Sequence, residues 1–533
     1  MGSANETADG SGACADIGDV PVNAEIMKGI STEQNAVVVA QFTRLRVAIF
    51  SVSVQSARVP KKTQPVFTTE NTSNSHAPLE RRIGLRSAVL FNMLEMIGVG
   101  PFITLPLVIA AAGLRLSLWA WVLGAVIAVA DGLVWAELGA AFPRAGGSYA
   151  FLREIYGPKS AGNWLSFLYV WQLSFSAPLS IASGCIGLSS FLAWFWPGLE
   201  RSPFAALAGL HYANFAAAGA CLLMTWMLYR RISVVTGMAW VLFVGVLVAI
   251  GGVIAAGATF SGFSVPATHA TGGGVVGLGQ GTLLATYCYW GYYNITFLGG
   301  EVRRPDRTIP RAILISVVLV AAMYVAMNGA GSHWETAAAL TGRATDQRLV
   351  AEMAQSAFGR WAGWTMSALV IWTALSSVFS LLLGYSRVPY AAARDGNYFH
   401  FLGAIHPRHH IPHRSLVALG LVAACFCFLS LSQVITMLVV TRILLQFLLQ
   451  QVGVIVLRIR RPDLPRPFRI PLYPLPPLAA MAGFIYLLIY RPHALGGFGV
   501  AAAIGVTGTG IYLVRAARAR EWPFHRPGAG ATE

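Results

Sequence analysis

The sequence predicts an all-α polytopic membrane protein of about twelve transmembrane helices. Three observations carry that expectation. Hydrophobic residues make up 56% of the 533 positions and charged ones only 11%. The apolar residues gather into repeated runs of about 20, long enough to cross a hydrocarbon core of roughly 30 Å. Two of those runs, the first and the sixth, are interrupted by glycine or proline at matching places in the two halves of the chain.

The runs predict helices near 88–112, 118–141, 160–195, 207–228, 233–258, 278–300, 310–331, 361–388, 415–433, 435–457, 474–490 and 495–516. The third carries Pro178 but no charge between Lys159 and Glu200, so it reads as one tilted helix. Residues 1–80 differ in kind: the first 35 are polar and rich in Gly, Ser, Ala and Asn, the composition of a disordered extension. The expected organisation is a cytoplasmic N-terminal extension (1–80), a transmembrane domain (81–516) and a cytoplasmic tail (517–533).

A net charge of +16 suggests nucleic acid, but the charge distribution argues for topology instead. Clusters such as Arg303, Arg304, Arg307, Arg311 and Arg458, Arg460, Arg461, Arg466, Arg469 fall in loops on one side. The opposite loops hold only Arg115, Arg201, Arg343, Arg348, Arg360 and Arg491. The positive-inside rule then places both termini of a multi-pass cell-membrane protein in the cytoplasm. Cys14, Cys185, Cys221, Cys288, Cys425 and Cys427 follow no metal-binding or disulfide spacing and read as buried thiols. No Walker-type glycine loop or nucleophile elbow is present, so ATP-driven transport and soluble catalysis lack a carrier; no cofactor and no nucleic-acid partner are expected.

The first break is Ile97-Gly98-Val99-Gly100-Pro101-Phe102 and the second is Tyr289-Trp290-Gly291-Tyr292-Tyr293. Unwound backbone is tolerated in lipid only where it lines a cavity or grips a ligand. A matched pair of breaks points to the substrate site of a secondary transporter with inverted repeats. Unpaired N–H groups at the resumed half-helix, with the positive end of its dipole, suit a carboxylate. Unpaired carbonyls at the interrupted end suit an ammonium or a sodium ion. Gly98 and Gly100 let backbone approach a ligand without a Cβ between. Glycine and proline also kink membrane helices for packing alone; the pairing of two breaks argues for function.

Glu95 precedes the first break and Asp131 lies in the second span. Intramembrane carboxylates are functional candidates by default, here for a proton or an ammonium. The competing reading is a buried structural carboxylate bonded to Ser, Tyr or Trp. Glu137, near the loop at Phe142-Pro143-Arg144, is expected to hold loop contacts. His406, His409, His410 and His413 crowd one loop and read as a solvated, pH-sensitive segment rather than a metal site. Trp119, Trp121, Trp194, Trp196, Trp361 and Trp364 read as interfacial anchors.

With these residues in view, the chain from about 80 to 516 resembles the amino acid–polyamine–organocation permeases. The Ile97–Gly100 break resembles that superfamily's glycine-X-glycine signature. Ala136-Glu137-Leu138 with Phe142–Gly147 resembles its second-helix signature. Gly300–Pro305 with Ile309–Ala312, Ser386–Gly396, and His406-Pro407 with Pro412 resemble three further segments in family order. The resemblance implies a leucine-transporter-like fold, a five-plus-five inverted repeat with two more helices, moving amino acids or polyamines by alternating access. By position, Ile97, Gly98, Val99 and Gly100 would hold a substrate carboxylate, and Tyr289, Trp290, Gly291 and Tyr292 the ammonium and a closing ring. Asp131 and the loop at 457–471 resemble the plant-type polyamine and L-type amino acid transporter branch.

The acids that a polycation needs are thin, because Tyr293, Leu382 and Gly384 stand at that branch's acidic positions. An amino acid is therefore the first reading and a polyamine the second. The coupling ion, H+ or Na+, stays open: the fifth span lacks the lysine that replaces sodium in some relatives, and Ser376 and Ser377 are candidates for a sodium site. A non-transporting sensor with the same shell is a further alternative, and membrane lipid is the remaining expected partner.

Overall fold

The computed structural model describes residues 81–202, 211–230, 232–259, 274–340, 348–429, 441–490 and 494–524. The predicted extension 1–80, the end of the predicted tail and the approach to the tenth span lie outside the described residues. Within them the chain folds as α1 (Leu85–Met96), α2 (Gly100–Ala112), α3 (Leu114–Ala141), α4 (Ser148–Tyr156), α5 (Ala161–Leu192) and α6 (Tyr212–Met227). Next come α7 (Ile232–Thr259), α8 (Gly274–Tyr289), the single turn α9 (Asn294–Phe297), α10 (Pro305–Leu340), α11 (Leu349–Phe358) and α12 (Arg360–Tyr385). After α13 (Arg387–Arg394) and α14 (His413–Phe426), a π-helical turn at Ile443–Leu448 leads into α15 (Leu449–Arg460), followed by α16 (Leu475–Ile489) and α17 (Ala494–Ala519).

The described parts of the predicted apolar runs fall on these helices, some runs spanning two of them, and the protein is a helical, polytopic membrane protein. Seven described helices are long and apolar enough to cross a bilayer. The pair α1–α2, bent by 50° at its break, makes an eighth. The other predicted runs correspond to the shorter helices α6, α8, α14 and α16. Helix α5 runs unbroken through Pro178. A helix that is apolar all round needs either protein or lipid on every face. Both occur: 78% of the α5 window is buried in protein, against 33% for α7, whose outer face is left for lipid.

The two halves pack on one another in a regular order. Helix α2 lies against α8, α3 against α10, α5 against α12 and α6 against α14. The first four spans of the first half thus meet their counterparts in the second, while the fifth, α7, packs on α10 and α12.

Three helices escaped the sequence reading: α4, α11 and α13. They are amphipathic and too short to read as spans. In α4, Tyr149, Phe151, Leu152 and Ile155 are buried, while Arg153 and Glu154 reach Asp395 and Arg144.

One anchor needs correcting. Trp119, Trp196, Trp361 and Trp364 are exposed as an interfacial belt requires, but Trp121 is fully buried. It sits edge-on to Tyr289 and Tyr324, and its carbonyl accepts the Tyr289 hydroxyl at 3.2 Å. Its position near a span end hid the fact that it faces the second half. Glu137 does hold loop contacts. It pairs with Arg458 at 2.5 Å and Arg466 at 3.5 Å and accepts the Ile470 N–H at 2.8 Å.

A candidate substrate site where two helix breaks meet

Helix α1 ends when the Ile97 N–H closes on Met93 O at 2.8 Å. The N–H groups of Gly98 and Val99 then donate to no backbone carbonyl among the described residues. Helix α2 resumes with Pro101 in its first turn, where proline loses no hydrogen bond. On the other side, α8 ends at Tyr289 and Gly291 adopts φ +131°, a conformation that side-chain-bearing residues rarely reach. A Cβ on Gly291 would stand 2.8 Å from both Glu95 Cγ and Met96 N, so the two breaks touch backbone to backbone. A Cβ on Gly98 would stand 2.7 Å from Ser377 Oγ, whereas one on Gly100 would make ordinary contact with Cys288 Sγ at 3.5 Å.

Polar side chains tie the breaks together. The Tyr324 hydroxyl lies 2.8 Å from Met96 O and 3.2 Å from Cys288 O, joining the carbonyl ends of α1 and α8. Asn92 accepts the Ile295 N–H at 2.9 Å, and its amide donates to Ser316 at 3.3 Å. Ser380 donates to Phe91 O at 2.8 Å and accepts from Asn294 at 2.8 Å. Buried backbone carbonyls left by an interrupted helix need such partners, since an unpaired one costs about 1–3 kcal/mol.

Between the breaks lies a cavity of about 50 Å³. Its walls are Glu95, Gly98, Val99 and Gly100 from the first break, Cys288 and Trp290 from the second, Ser180 and Ser183 of α5, Ser377 and Tyr385 of α12, and Arg442. A larger groove of about 520 Å³ runs between α3, α10 and α16, lined by residues such as Val122, Leu133, Val325 and Leu475. It offers no charged or polar side chain to orient a zwitterion, so the smaller cavity is the candidate site.

The structure gathers only some of the residues singled out from sequence. Glu95, Gly98, Val99, Gly100, Trp290 and Ser377 line the cavity. Ile97 and Tyr289 are buried behind it. Tyr292 turns its hydroxyl to Asp131, and Asp131 also accepts from Trp135 Nε1 at 2.9 Å and from Gln451. Asp131 therefore sits in a buried network bracing the second break, outside the cavity. Ser376 and Ser377 part company: Ser376 donates to Trp372 O in its own helix at 2.7 Å, while Ser377 reaches Glu95 O at 3.5 Å. His406, His409 and His413 gather around the Tyr229 ring.

Arg442 is the residue that sequence reasoning missed. It is buried, donates to the Tyr293 hydroxyl at 3.1 Å and Ser176 O at 3.4 Å, and faces the rings of Tyr385 and Trp290. The signal was present, since an arginine inside an apolar run marks a functional position by default.

Comparison with known proteins agrees with this architecture. A family model described as amino acid permease matches residues 83–509. An uncharacterized transporter of Mycobacterium tuberculosis is 30% identical over 65% of this chain and 73% of its own length. The serine/threonine exchanger of Bacillus subtilis is 26% identical, covering 77% of this chain and 91% of its own. The human Asc-type amino acid transporter 1 is 26% identical over 83% of each chain.

Proposed function

Because the chain belongs to the amino acid permease family, we propose that it is a secondary active transporter moving amino acids across the cell membrane by alternating access. The observation that carries this reading is the cavity between the two breaks, which holds Glu95 and Arg442 together with the free N–H groups of Gly98 and Val99. An amino acid zwitterion finds an opposite charge there for each of its own. Its carboxylate meets the start of α2, worth roughly +0.5 elementary charge, and its ammonium meets Glu95. The helix pairings between halves support a five-plus-five repeat with two added helices. The arginine-rich loops support cytoplasmic termini.

The polyamine reading is weakened by Arg442. A polycation would have to lie beside a fixed guanidinium with Glu95 as the one carboxylate in the cavity wall. Sodium coupling also has little to stand on. Ser376 is turned away, and the carbonyls of Phe91, Met96 and Cys288 already accept hydrogen bonds.

The test is uptake of a labelled amino acid mixture by proteoliposomes in sodium-free buffer. Transport is expected from the intact protein. The Gly100→Leu variant, which fills the cavity wall, should be folded and inactive. Ligand-induced stabilisation without any flux would favour the sensor reading instead, and uptake by Gly100→Leu equal to the parent would remove this cavity as the site.

A further inference from the structure

Two opposite charges are buried in the same small cavity, and each keeps an unused hydrogen-bonding atom. Arg442 is 2% exposed and Glu95 is 5% exposed. No carboxylate lies within ion-pair distance of Arg442 among the described residues. Its guanidinium is held by the neutral acceptors Tyr293 and Ser176 and by the Tyr385 and Trp290 rings, 5.0 and 5.9 Å from its carbon. Its Nε has no hydrogen-bond partner, and neither has Trp290 Nε1 beside it. Across the cavity, Glu95 Oε2 lacks one as well.

Buried donors without acceptors are rare in folded proteins, and each calls for a reason. A ligand that supplies the missing acceptor is such a reason. The α-carboxylate and ammonium of a substrate already have partners in the start of α2 and in Glu95. Arg442 Nε and Trp290 Nε1 are donors left over, and one of them carries full positive charge. A charged planar donor favours a carboxylate over a neutral oxygen, because charge-assisted hydrogen bonds are about twice as strong.

We infer that the cavity recognises amino acids whose side chain ends in a carboxylate, with Arg442 and Trp290 receiving that second acid group. This deepens the transporter reading above and rests on it. Arg442 is then a specificity residue that touches substrate. Its three groups would alternate with those of the ligand: helix start to α-carboxylate, Glu95 to ammonium, Arg442 to side-chain carboxylate.

The experiment is uptake of labelled alanine and labelled glutamate by proteoliposomes holding the full chain, each competed by excess aspartate. The parent protein is expected to take up glutamate, and aspartate should compete with both substrates. In Arg442→Met the ratio of glutamate to alanine uptake should fall by at least about tenfold, the loss of one charge-assisted hydrogen bond. Arg442→Lys should restore part of that ratio. Trp290→Phe, which keeps the ring and removes the donor, should lower the ratio in the same direction if Arg442→Met fails to fold. Alanine uptake untouched by excess aspartate in the parent overturns the inference while leaving the transporter reading intact. An equal fall for both substrates in Arg442→Met overturns it too, since the arginine would then hold the α-carboxylate that every amino acid shares. Absence of any amino acid flux from the parent defeats the transporter reading itself, and the inference with it.

Discussion

Gly291 is where the two broken helices meet, and its demands differ from those of Gly100. At φ +131° an L side chain is strained by about 1–3 kcal/mol. Its Cβ would also press on the backbone of Met96, which cannot rotate away. At Gly100 the same atom would make ordinary contacts only. Gly291→Ala should therefore lower the melting temperature in detergent, while Gly100→Ala leaves it close to the parent; equal melting temperatures for the two variants would show that the breaks are not pressed together. The glycines were legible in sequence because an interrupted apolar run stands out. Tyr324 was not, because a tyrosine in an apolar span gives no sign that its hydroxyl will bridge Met96 and Cys288. Asp131 and Glu95 looked alike in sequence, and only the neighbours Tyr292, Trp135 and Gln451 separate the bracing acid from the one facing the cavity.

At the level of elements, the spans were readable from composition because lipid demands long apolar runs. The helices α4, α11 and α13 were hidden, because each is amphipathic and too short to read as a span. The start of α14 illustrates what such junctions add. His413 opens that helix, with the His406 ring 5.5 Å from its own and Tyr229 and His409 nearby. Burial, then His406 and Arg414, holds its imidazole below the ordinary histidine value. A cation at a helix N-terminus is unfavourable as well. The folded protein therefore binds fewer protons here than the unfolded chain, so stability rises with pH between the lowered value and about 6.5 and is lost on acidification through that window. Melting temperatures measured from pH 7.5 down to 5.5 should fall, and His413→Gln should flatten the fall. An unchanged slope in that variant would assign the acid sensitivity to other groups.

The alternating access proposed above would involve the whole molecule, and the arginine-rich side carries the contacts that would have to part. The segment before α1 pairs with the segment after the second break: Ile83 N–H donates to Glu301 O at 2.9 Å, and Arg303 N–H to Ile83 O at 2.8 Å. Gly146 of the loop after α3 donates to Phe297 O at 3.1 Å. Glu301 pairs with Arg387 at 3.0 Å, both side chains buried, and Arg153 pairs with Asp395. Breaking a buried pair by removing one partner costs about 3–5 kcal/mol, so these contacts cannot be tested by deletion without unfolding the fastening altogether. A reversible bond is the better probe. Ile83 and Val302 face each other as a bridge pair, and paired strands lie about 4.8 Å apart, within the roughly 4.4–6.8 Å that a disulfide spans between Cα atoms. In a background where the exposed Cys425 is replaced by serine, Ile83→Cys with Val302→Cys should lose uptake on oxidation and regain it on reduction. In the same background, Ile83→Cys alone and Val302→Cys alone should ignore the oxidant. Full uptake by the crosslinked protein would mean that this side never opens between the first segment and the second break, and the path to the cavity would have to run elsewhere.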